Sequence, residues 1–221
     1  MRVAFAFDLD GTLLDTEMLW VEATLAYLQA HGEAVDAATV TALVYGRSWT
    51  DIRTDIGRRY PKAIRSPEAM AGAVRERMLA LRESTDCVIH DSVALLRRLA
   101  ADVPVCVVSG SPREDVEAGV RLAGIDTTIR FLLGAEDYAP GKPDPACYRL
   151  AANRLGVDPA HVTVFEDSAA GVRAARAAGM VTVALARPGL PPQDLSPAHV
   201  VLESLSAYPA WISHAEEFSP R

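Results

Sequence analysis

The stretch VAFAFDLDGT, residues 3–12, decides the fold of this chain. Its apolar half, Val3–Phe7, is short and rich in branched and aromatic side chains, as is typical of a parallel strand covered on both faces. Asp8 and Asp10 follow, and their carboxylates point the same way if the strand geometry persists. Gly11 then allows a sharp turn that brings backbone N–H groups close to an anion. The stretch predicts a buried strand that ends on an anion-binding loop, although an Asx turn that only closes the strand fits the same residues.

Five further apolar runs continue this pattern along the chain, with helical segments between them. Gly124, Gly156 and Gly179 stand where helices commonly stop, and Pro112 and Pro145 stand where they commonly begin. This alternation predicts an α/β fold in which an open parallel sheet is doubly wound, with helices on both sides. The six strands are predicted at Val3–Phe7, Val105–Val108, Phe131–Leu133, Val162–Phe165, Val181–Ala184 and Val200–Leu202.

One interval interrupts the alternation. The strand that ends at Phe7 and the next, which begins at Val105, enclose far more chain than the roughly 30 residues of a strand–helix repeat. Helical patterns fill this interval at Thr16–His31, Ala37–Val44, Thr50–Tyr60 and Pro67–Glu83. We therefore expect a helical domain at residues 16–85, inserted into an α/β core formed by residues 1–15 and 86–221.

The charge balance is acidic: 22 lysines and arginines stand against 29 aspartates and glutamates, a formal net charge of −7. Without a basic block, the chain lacks the clustered cations on which affinity for nucleic acid depends. No apolar run approaches the length of a transmembrane helix, and the N-terminal run is too short for a secretory signal. Cys87, Cys106 and Cys147 lie far apart without metal or disulfide spacing, which favours buried thiols in a reducing, cytoplasmic compartment.

Polar residues gather where the predicted strands end, at Asp8, Asp10, Ser109, Lys142, Glu166 and Asp167. In an open parallel sheet, ligands bind at the carboxyl ends of the strands, so these side chains are expected to meet in one crevice. Four carboxylates there would repel one another unless a cation lies between them, and Mg²⁺ is the usual choice beside a phosphate. Taken alone, the pair Glu166-Asp167 could instead cap the helix that follows it.

Two of these segments have the features of a phosphate site. Ser109-Gly110-Ser111 lies between a strand and a helix that begins with Pro112, so a hydroxyl and backbone N–H groups meet at a helix N-terminus. Ser111 would also serve there as a plain N-cap. Lys142 lies in a loop stiffened by two prolines and a glycine. Since two of the 22 basic residues are lysines, a compact point charge is favoured here over a solvated loop lysine.

Together these segments resemble the four motifs of the haloacid dehalogenase-like (HAD) superfamily. They are Asp8–Thr12, Ser109, Gly141–Pro143 and Glu166-Asp167, and their order and spacing are similar to those of the family. The helical insertion resembles the family's type I cap, and the likeness is greatest to the β-phosphoglucomutase-like branch, which contains many sugar-phosphate phosphatases. The resemblance implies a Rossmann-like core with an inserted α-helical cap domain.

The resemblance also implies a role for each motif residue. Asp8 would be the nucleophile that forms an aspartyl-phosphate, and Asp10 the general acid for the leaving alcohol and then the base for water. The phosphoryl oxygens would be held by Ser109 and Lys142, with backbone N–H groups near Gly11 and at Gly110. Mg²⁺ would be held by the side chains of Asp8, Glu166 and Asp167 and by the backbone carbonyl of Asp10. Positioning and charge compensation of this kind are what phosphoryl transfer requires.

Two features bear on the activity within the family. The metal-free dehalogenases lack the carboxylate that this chain has at Asp10, so its presence favours phosphoryl transfer. The mutases carry a His where this chain has Trp20, and a Lys and an Arg near the loop of Gly46, where it has Tyr45 and Trp49. These departures favour a phosphatase, in which water receives the phosphoryl group.

The cap is expected to set specificity. Trp20, Tyr45, Arg47 and Trp49 are candidates to line the pocket for the leaving group, where the aromatic rings could stack on a sugar and Arg47 could meet a second anion. The two tryptophans fit the core of the cap equally well, and Arg47 fits a surface ion pair.

We therefore expect an Mg²⁺-dependent phosphatase for a small phosphorylated metabolite, such as a sugar or polyol phosphate. The alternatives are a β-phosphoglucomutase-like phosphosugar mutase and a binding domain that has lost catalysis. Neither nucleic acid nor membrane is expected as a partner, and the chain is expected in the cytoplasm as a monomer or homodimer.

Overall fold

A parallel β-sheet is the framework of the fold in the computed structural model, which describes residues 3–47, 49–64 and 66–208. Six strands form it over these residues: β1 (Ala4–Phe7), β2 (Val105–Val108), β3 (Leu132–Leu133), β4 (Val162–Glu166), β5 (Val181–Leu185) and β6 (Val200–Leu202). Their order across the sheet is β3-β2-β1-β4-β5-β6, and every neighbouring pair is parallel. The predicted α/β fold is confirmed.

Strand β1 lies at the centre, and its register decides which residues meet at the carboxyl edge. Phe7 is paired with Val107 of β2 on one side and with Phe165 of β4 on the other. Asp8, the next residue, donates its backbone N–H to Phe165 O at 2.9 Å. Asp8 is therefore level with the end of β4, where Glu166 follows Phe165, and the carboxylates of two distant segments become neighbours.

Eight α-helices accompany the strands in the described part of the chain: α1 (Glu17–Ala30), α2 (Ala37–Val44), α3 (Trp49–Arg59), α4 (Pro67–Ser84), α5 (His90–Ala100), α6 (Arg113–Leu122), α7 (Ala146–Leu155) and α8 (Ala169–Ala177). None of the described helices combines the length and apolarity that crossing a membrane requires. The chain divides into two units, one formed by Met1–Leu14 with Val88–Arg221 and the other by Asp15–Cys87.

Successive side chains of a strand point to opposite sides, and every residue of β1, β2, β4 and β5 is buried, so both faces of the sheet are covered along these strands. Ala4 and Ala6 lie on one face, in a core that includes residues of α7 and α8 such as Tyr148 and Ala175. The alternate residue Phe7 stacks on Phe165, with ring centroids 4.4 Å apart. Residues of α7 and α8 thus cover one face of the sheet, as the continuous apolar pattern of the strands predicts.

The unit Asp15–Cys87 is helical, with α1 to α4 packed around its own apolar core. The buried side chains of this core include Leu28, Val40, Leu43, Ile56, Met70, Val74 and Met78. Side-chain caps define where two of its helices begin: Asp36 accepts from Thr39 N at 2.8 Å, and Ser66 accepts from Ala69 N at 3.2 Å. Such caps satisfy backbone donors that have no partner within the helix.

Candidate active site

A buried ionic cluster lies at the carboxyl edge of the sheet, formed by Asp8, Lys142 and Glu166. The Nζ of Lys142 is 2.5 Å from Asp8 Oδ1 and 2.5 Å from Glu166 Oε1. The exposed fractions of the three side chains are 11% for Lys142, 8% for Asp8 and 0% for Glu166. Lys142 thus bridges the residue after β1 and the last residue of β4, and its loop brings a single ammonium to two carboxylates.

Glu166 is held by more than Lys142. Tyr148, on α7, donates its hydroxyl to Glu166 Oε1 at 2.6 Å, and its ring lies 5.3 Å below the Lys142 Nζ. Ser168 donates its hydroxyl to the other oxygen, Oε2, at 3.0 Å. Gly171 packs directly against the carboxylate, since a Cβ built at this position would lie 1.8 Å from Glu166 Oε1. Both oxygens of Glu166 therefore have defined partners, and its orientation is determined from four sides.

Burial and charge shift the pKa values of this cluster in opposite ways. Burial raises the pKa of Asp8 well above its ordinary value of 3.8, and the attraction of Lys142 offsets this only in part. Burial lowers the pKa of Lys142, but the charges of Asp8 and Glu166 outweigh that effect and raise it well above 10.5. Burial and the charge of Glu166 also raise the pKa of Tyr148. Lys142 is therefore cationic and Tyr148 is a neutral donor at neutral pH.

Three carboxylates form a pocket that suits a divalent cation. Asp8, Glu166 and Asp167 are all buried and offer oxygen atoms that lie within 4.8 Å of one another. Thr12 donates its hydroxyl to Asp167 Oδ1 at 3.3 Å, and a Cβ at Gly11 would lie 2.0 Å from Asp167 Oδ2. An all-oxygen, anionic donor set is the one that Mg²⁺, Ca²⁺ and Mn²⁺ prefer. The three carboxylates carry more charge than one lysine balances, so these residues fit such an ion.

A second group of side chains, the hydroxyl cluster, comprises Asp10, Ser109 and Ser111. Ser109 donates to Asp10 Oδ2 at 3.1 Å, and Ser111 donates to the same oxygen at 2.7 Å. The interpretation of Ser111 as an N-cap is wrong, because helix α6 has Pro112 at its cap position without a side-chain cap bond. The hydroxyl that would have capped the helix is used on Asp10 instead.

The loops that carry these residues are held by backbone hydrogen bonds. Gly11 has φ +82°, which favours glycine, and its N–H donates to Leu14 O at 2.7 Å, so that this N–H is used within the loop. Tyr138 donates its hydroxyl to Ser109 O at 2.8 Å. Gly110 is exposed, and a Cβ there would meet nothing within 4 Å. Hydrogen-bonded turns therefore frame the site, with open space beside Gly110.

Three of the four cap candidates have side-chain partners within their own unit, and the fourth is buried. Tyr45 is buried. Trp20 packs on Trp49, with ring centroids 5.1 Å apart, and both are partly exposed. Arg47 forms an ion pair of 2.7 Å with Asp55. A contact of these residues with a substrate remains a prediction.

Comparison with known proteins places this geometry in a family. The model of the haloacid dehalogenase-like hydrolase family matches residues 3–179, which contain the ionic and the hydroxyl clusters. The chain belongs to the haloacid dehalogenase-like hydrolase family. It is 33% identical to the validoxylamine A 7′-phosphate phosphatase of Streptomyces hygroscopicus subsp. limoneus over 181 residues. This alignment covers 81% of this chain and 83% of that protein.

Two further comparisons cover similar lengths of the chain. The fructose-1-phosphate phosphatase of Escherichia coli (strain K12) is 32% identical, covering 80% of this chain and 93% of that protein. The crystal structure of CbbY from Rhodobacter sphaeroides in complex with phosphate has the same fold, with a TM-score of 0.83 at 24% identity, over 96% of this chain and 99% of that one. The structures of a putative β-phosphoglucomutase from Thermotoga maritima and of a β-phosphoglucomutase from Clostridium difficile share this fold as well. With phosphatases recurring among its relatives, this HAD-like hydrolase is assigned to the phosphoric monoester hydrolases.

The sequence analysis does not predict the contacts that three residues make in the site. Tyr148 lies in an apolar helix pattern, which predicts a core residue. Its ring is indeed buried in the core, but its hydroxyl donates to Glu166. Ser111 carries a stronger cap signal than a site signal. Gly171 offers the one usable clue, since an isolated glycine inside a helix often marks a close approach. Here the approaching group is the carboxylate of Glu166.

Proposed function

We propose that this HAD-like hydrolase is a Mg²⁺-dependent phosphatase that acts on a sugar or polyol phosphate through an aspartyl-phosphate on Asp8. The observation that carries the proposal is the ionic cluster with its neighbouring cation pocket. Asp8, the proposed nucleophile, lies 2.5 Å from the ammonium of Lys142. Beside it are the carboxylates of Glu166 and Asp167, whose oxygens are hard ligands for a cation. Phosphoryl transfer to a carboxylate needs positive charge nearby, because nucleophile and substrate are both anionic. Lys142 supplies one such charge, and a divalent cation held by the three carboxylates would supply the rest.

Each reacting group has a defined task in the proposed first step. An oxygen of Asp8 attacks the phosphorus while the bond from phosphorus to the leaving oxygen breaks, and Asp10 donates a proton to that oxygen. Lys142 and the hydroxyl of Ser109, with the backbone at Gly110, offset the charge on the phosphoryl oxygens. The product alcohol then leaves with Asp8 phosphorylated.

The second step returns the enzyme to its starting state. Asp10, now ionised, takes a proton from water as the water oxygen attacks the phosphorus, and the bond to Asp8 breaks to release inorganic phosphate. Asp8, Glu166, Asp167 and the backbone carbonyl of Asp10 would hold Mg²⁺. When bound, the ion neutralises charge on the phosphoryl group and on Asp8.

The substrate class rests on the relatives and on the cap. Phosphatases for fructose 1-phosphate and for hexitol phosphates, both from Escherichia coli, are among the relatives that are at least 30% identical. The partly exposed aromatic pair Trp20 and Trp49 suits the faces of a sugar or polyol, and we propose that it takes part in substrate selection together with Tyr45 and Arg47. The acidic charge and the three buried free cysteines support a cytoplasmic enzyme with small-molecule substrates.

Release of inorganic phosphate from a panel of sugar and polyol phosphates, with and without Mg²⁺, tests the proposal. We expect turnover that depends on Mg²⁺ and that Asp8→Asn abolishes. Acid quenching followed by borohydride reduction is expected to yield homoserine at position 8, the product of a trapped acyl phosphate. Isomerisation of glucose 1-phosphate without phosphate release would indicate a mutase instead, and retained turnover in Asp8→Asn would refute the mechanism.

A further inference from the structure

One oxygen atom of Asp10 receives two hydroxyl groups. Its Oδ2 accepts from Ser109 Oγ at 3.1 Å and from Ser111 Oγ at 2.7 Å. The shorter bond comes from Ser111, which belongs to neither the ionic cluster nor the cation pocket. The proposed function gives a role to Ser109 but none to Ser111, although the hydroxyl of Ser111 makes the shorter hydrogen bond to Asp10.

Ser109 cannot keep its bond to Asp10 once it binds phosphate. A serine hydroxyl has a single proton to donate, and the lone pairs of this oxygen already accept the N–H of Ser111 at 3.0 Å. If the proton turns to a phosphoryl oxygen, Asp10 loses that donor. Of these two hydroxyls, the one of Ser111 then stays on Asp10 Oδ2.

Hydrogen bonds at both its backbone N–H and its backbone carbonyl fix the position of Ser111. Its N–H donates to Ser109 Oγ, and its carbonyl oxygen accepts from Ala135 N at 2.9 Å. These bonds tie the residue to the end of β2 and to the turn after β3. A backbone fixed in this way presents the hydroxyl in one direction, so the bond to Asp10 costs little additional ordering.

We propose that Ser111 is a positioning residue for Asp10: it holds the carboxyl group in the orientation for proton transfer while Ser109 turns to the substrate phosphate. The inference rests on the proposed function, in which Asp10 is the general acid. A misplaced acid loses rate in proportion to how much the leaving group needs its proton. A residue that only supports the loop would affect all leaving groups alike.

A series of aryl phosphates separates these roles. Phenyl phosphate has a poor leaving group that needs a proton, whereas 2,4-dinitrophenyl phosphate does not. We expect Ser111→Ala to lower kcat/KM about tenfold for phenyl phosphate and to leave it within about twofold for 2,4-dinitrophenyl phosphate. The quantity kcat/KM is used because it reports the first phosphoryl transfer, in which Asp10 acts as an acid.

Three further variants complete the test. Ser111→Thr keeps the hydroxyl and is expected to restore the wild-type dependence on the leaving group. Ser111→Cys replaces the hydroxyl by a weak donor and carries the same comparison if the alanine variant does not fold. Ser204→Ala removes a similar hydroxyl from the carboxylate of Asp91, at 2.8 Å, and is expected to change neither substrate.

The outcomes distinguish the inference from the function on which it rests. An equal loss on both substrates, a change in KM alone or no loss at all in Ser111→Ala would overturn the positioning role. Asp10→Ala supplies the reference, because it should show the full dependence on the leaving group. If Asp10→Ala lacks that dependence, or if Asp8→Asn retains turnover, the proposed function itself is wrong.

Discussion

Two ion pairs, one in each unit of the chain, show how burial changes what a charge can do. In the ionic cluster, Lys142 lies between Asp8 and Glu166, and the three side chains are at most 11% exposed. In the helical unit, Arg47 meets Asp55 at 2.7 Å, but the two side chains are 32% and 29% exposed. Water screens the second pair and not the first. The two ion pairs therefore have similar distances but interaction energies of different size.

Removing the cation of the buried pair should have the largest effect. We expect Lys142→Ala to lower kcat by about 10²- to 10³-fold, because two buried carboxylates lose their ammonium and the phosphoryl group loses its counter-charge. The matched control is Lys62→Ala, since Lys62 is the other lysine of the chain and is exposed. It should keep wild-type rates of phosphate release. A Lys142→Ala enzyme within a factor of a few of the wild type would show that the buried pair has no special weight.

Two glycine substitutions, one beside the ionic cluster and one in the helical unit, compare the two regions again and should have effects of intermediate size. In Gly171→Ala the new methyl group would occupy the place of the Glu166 carboxylate, which Lys142 and Tyr148 hold in position. We expect affinity for Mg²⁺ to fall about 10- to 100-fold, as for the loss of groups that orient a metal ligand. Isothermal titration with the ion measures this without any need for turnover.

The control for that experiment lies in the helical unit. Gly72 is exposed within α4, and a Cβ there would meet nothing within 4 Å. Gly72→Ala should leave Mg²⁺ affinity unchanged and raise the free energy of unfolding by about 0.5–1 kcal/mol, because alanine is the better helix former. Unchanged Mg²⁺ affinity in Gly171→Ala would show that Glu166 is not a ligand of the cation.

The partly exposed pair of Arg47 and Asp55 should give the smallest effect, and one that depends on pH. The hydrogen bond from Arg47 lowers the pKa of Asp55 below its ordinary value of 3.8, although partial burial opposes this. Because the folded-state pKa is the lower one, the stabilisation is present above 3.8 and is lost as pH falls through the folded value. Asp55→Asn should therefore unfold at a slightly lower urea concentration than the wild type at pH 7. The difference should shrink in buffers below pH 3.8, and a gap that widened on acidification would contradict this account.

The parts of the site that sequence analysis predicts are those whose positions follow from the sheet. Asp8, Ser109 and Glu166 stand directly at strand ends, and parallel strands bring their carboxyl ends to one edge. The six strands and the inserted helices are visible for the same reason, because apolar period and length are local properties. Within the helical unit the pattern distinguishes helix from strand, but it leaves open whether Trp20 or Arg47 faces a ligand, a neighbour or water.

The sequence by itself determined the order of strands and helices, the acidic motif residues and the presence of an isolated lysine in a stiff loop. These are properties of neighbouring residues, set by side-chain size, charge and backbone freedom. The tertiary structure alone decided that Tyr148, Gly171 and Lys142 meet at Glu166, and that Ser111 holds Asp10 rather than its own helix. Those contacts join segments far apart in the chain. Which donor reaches which acceptor depends on packing distances that no local pattern contains.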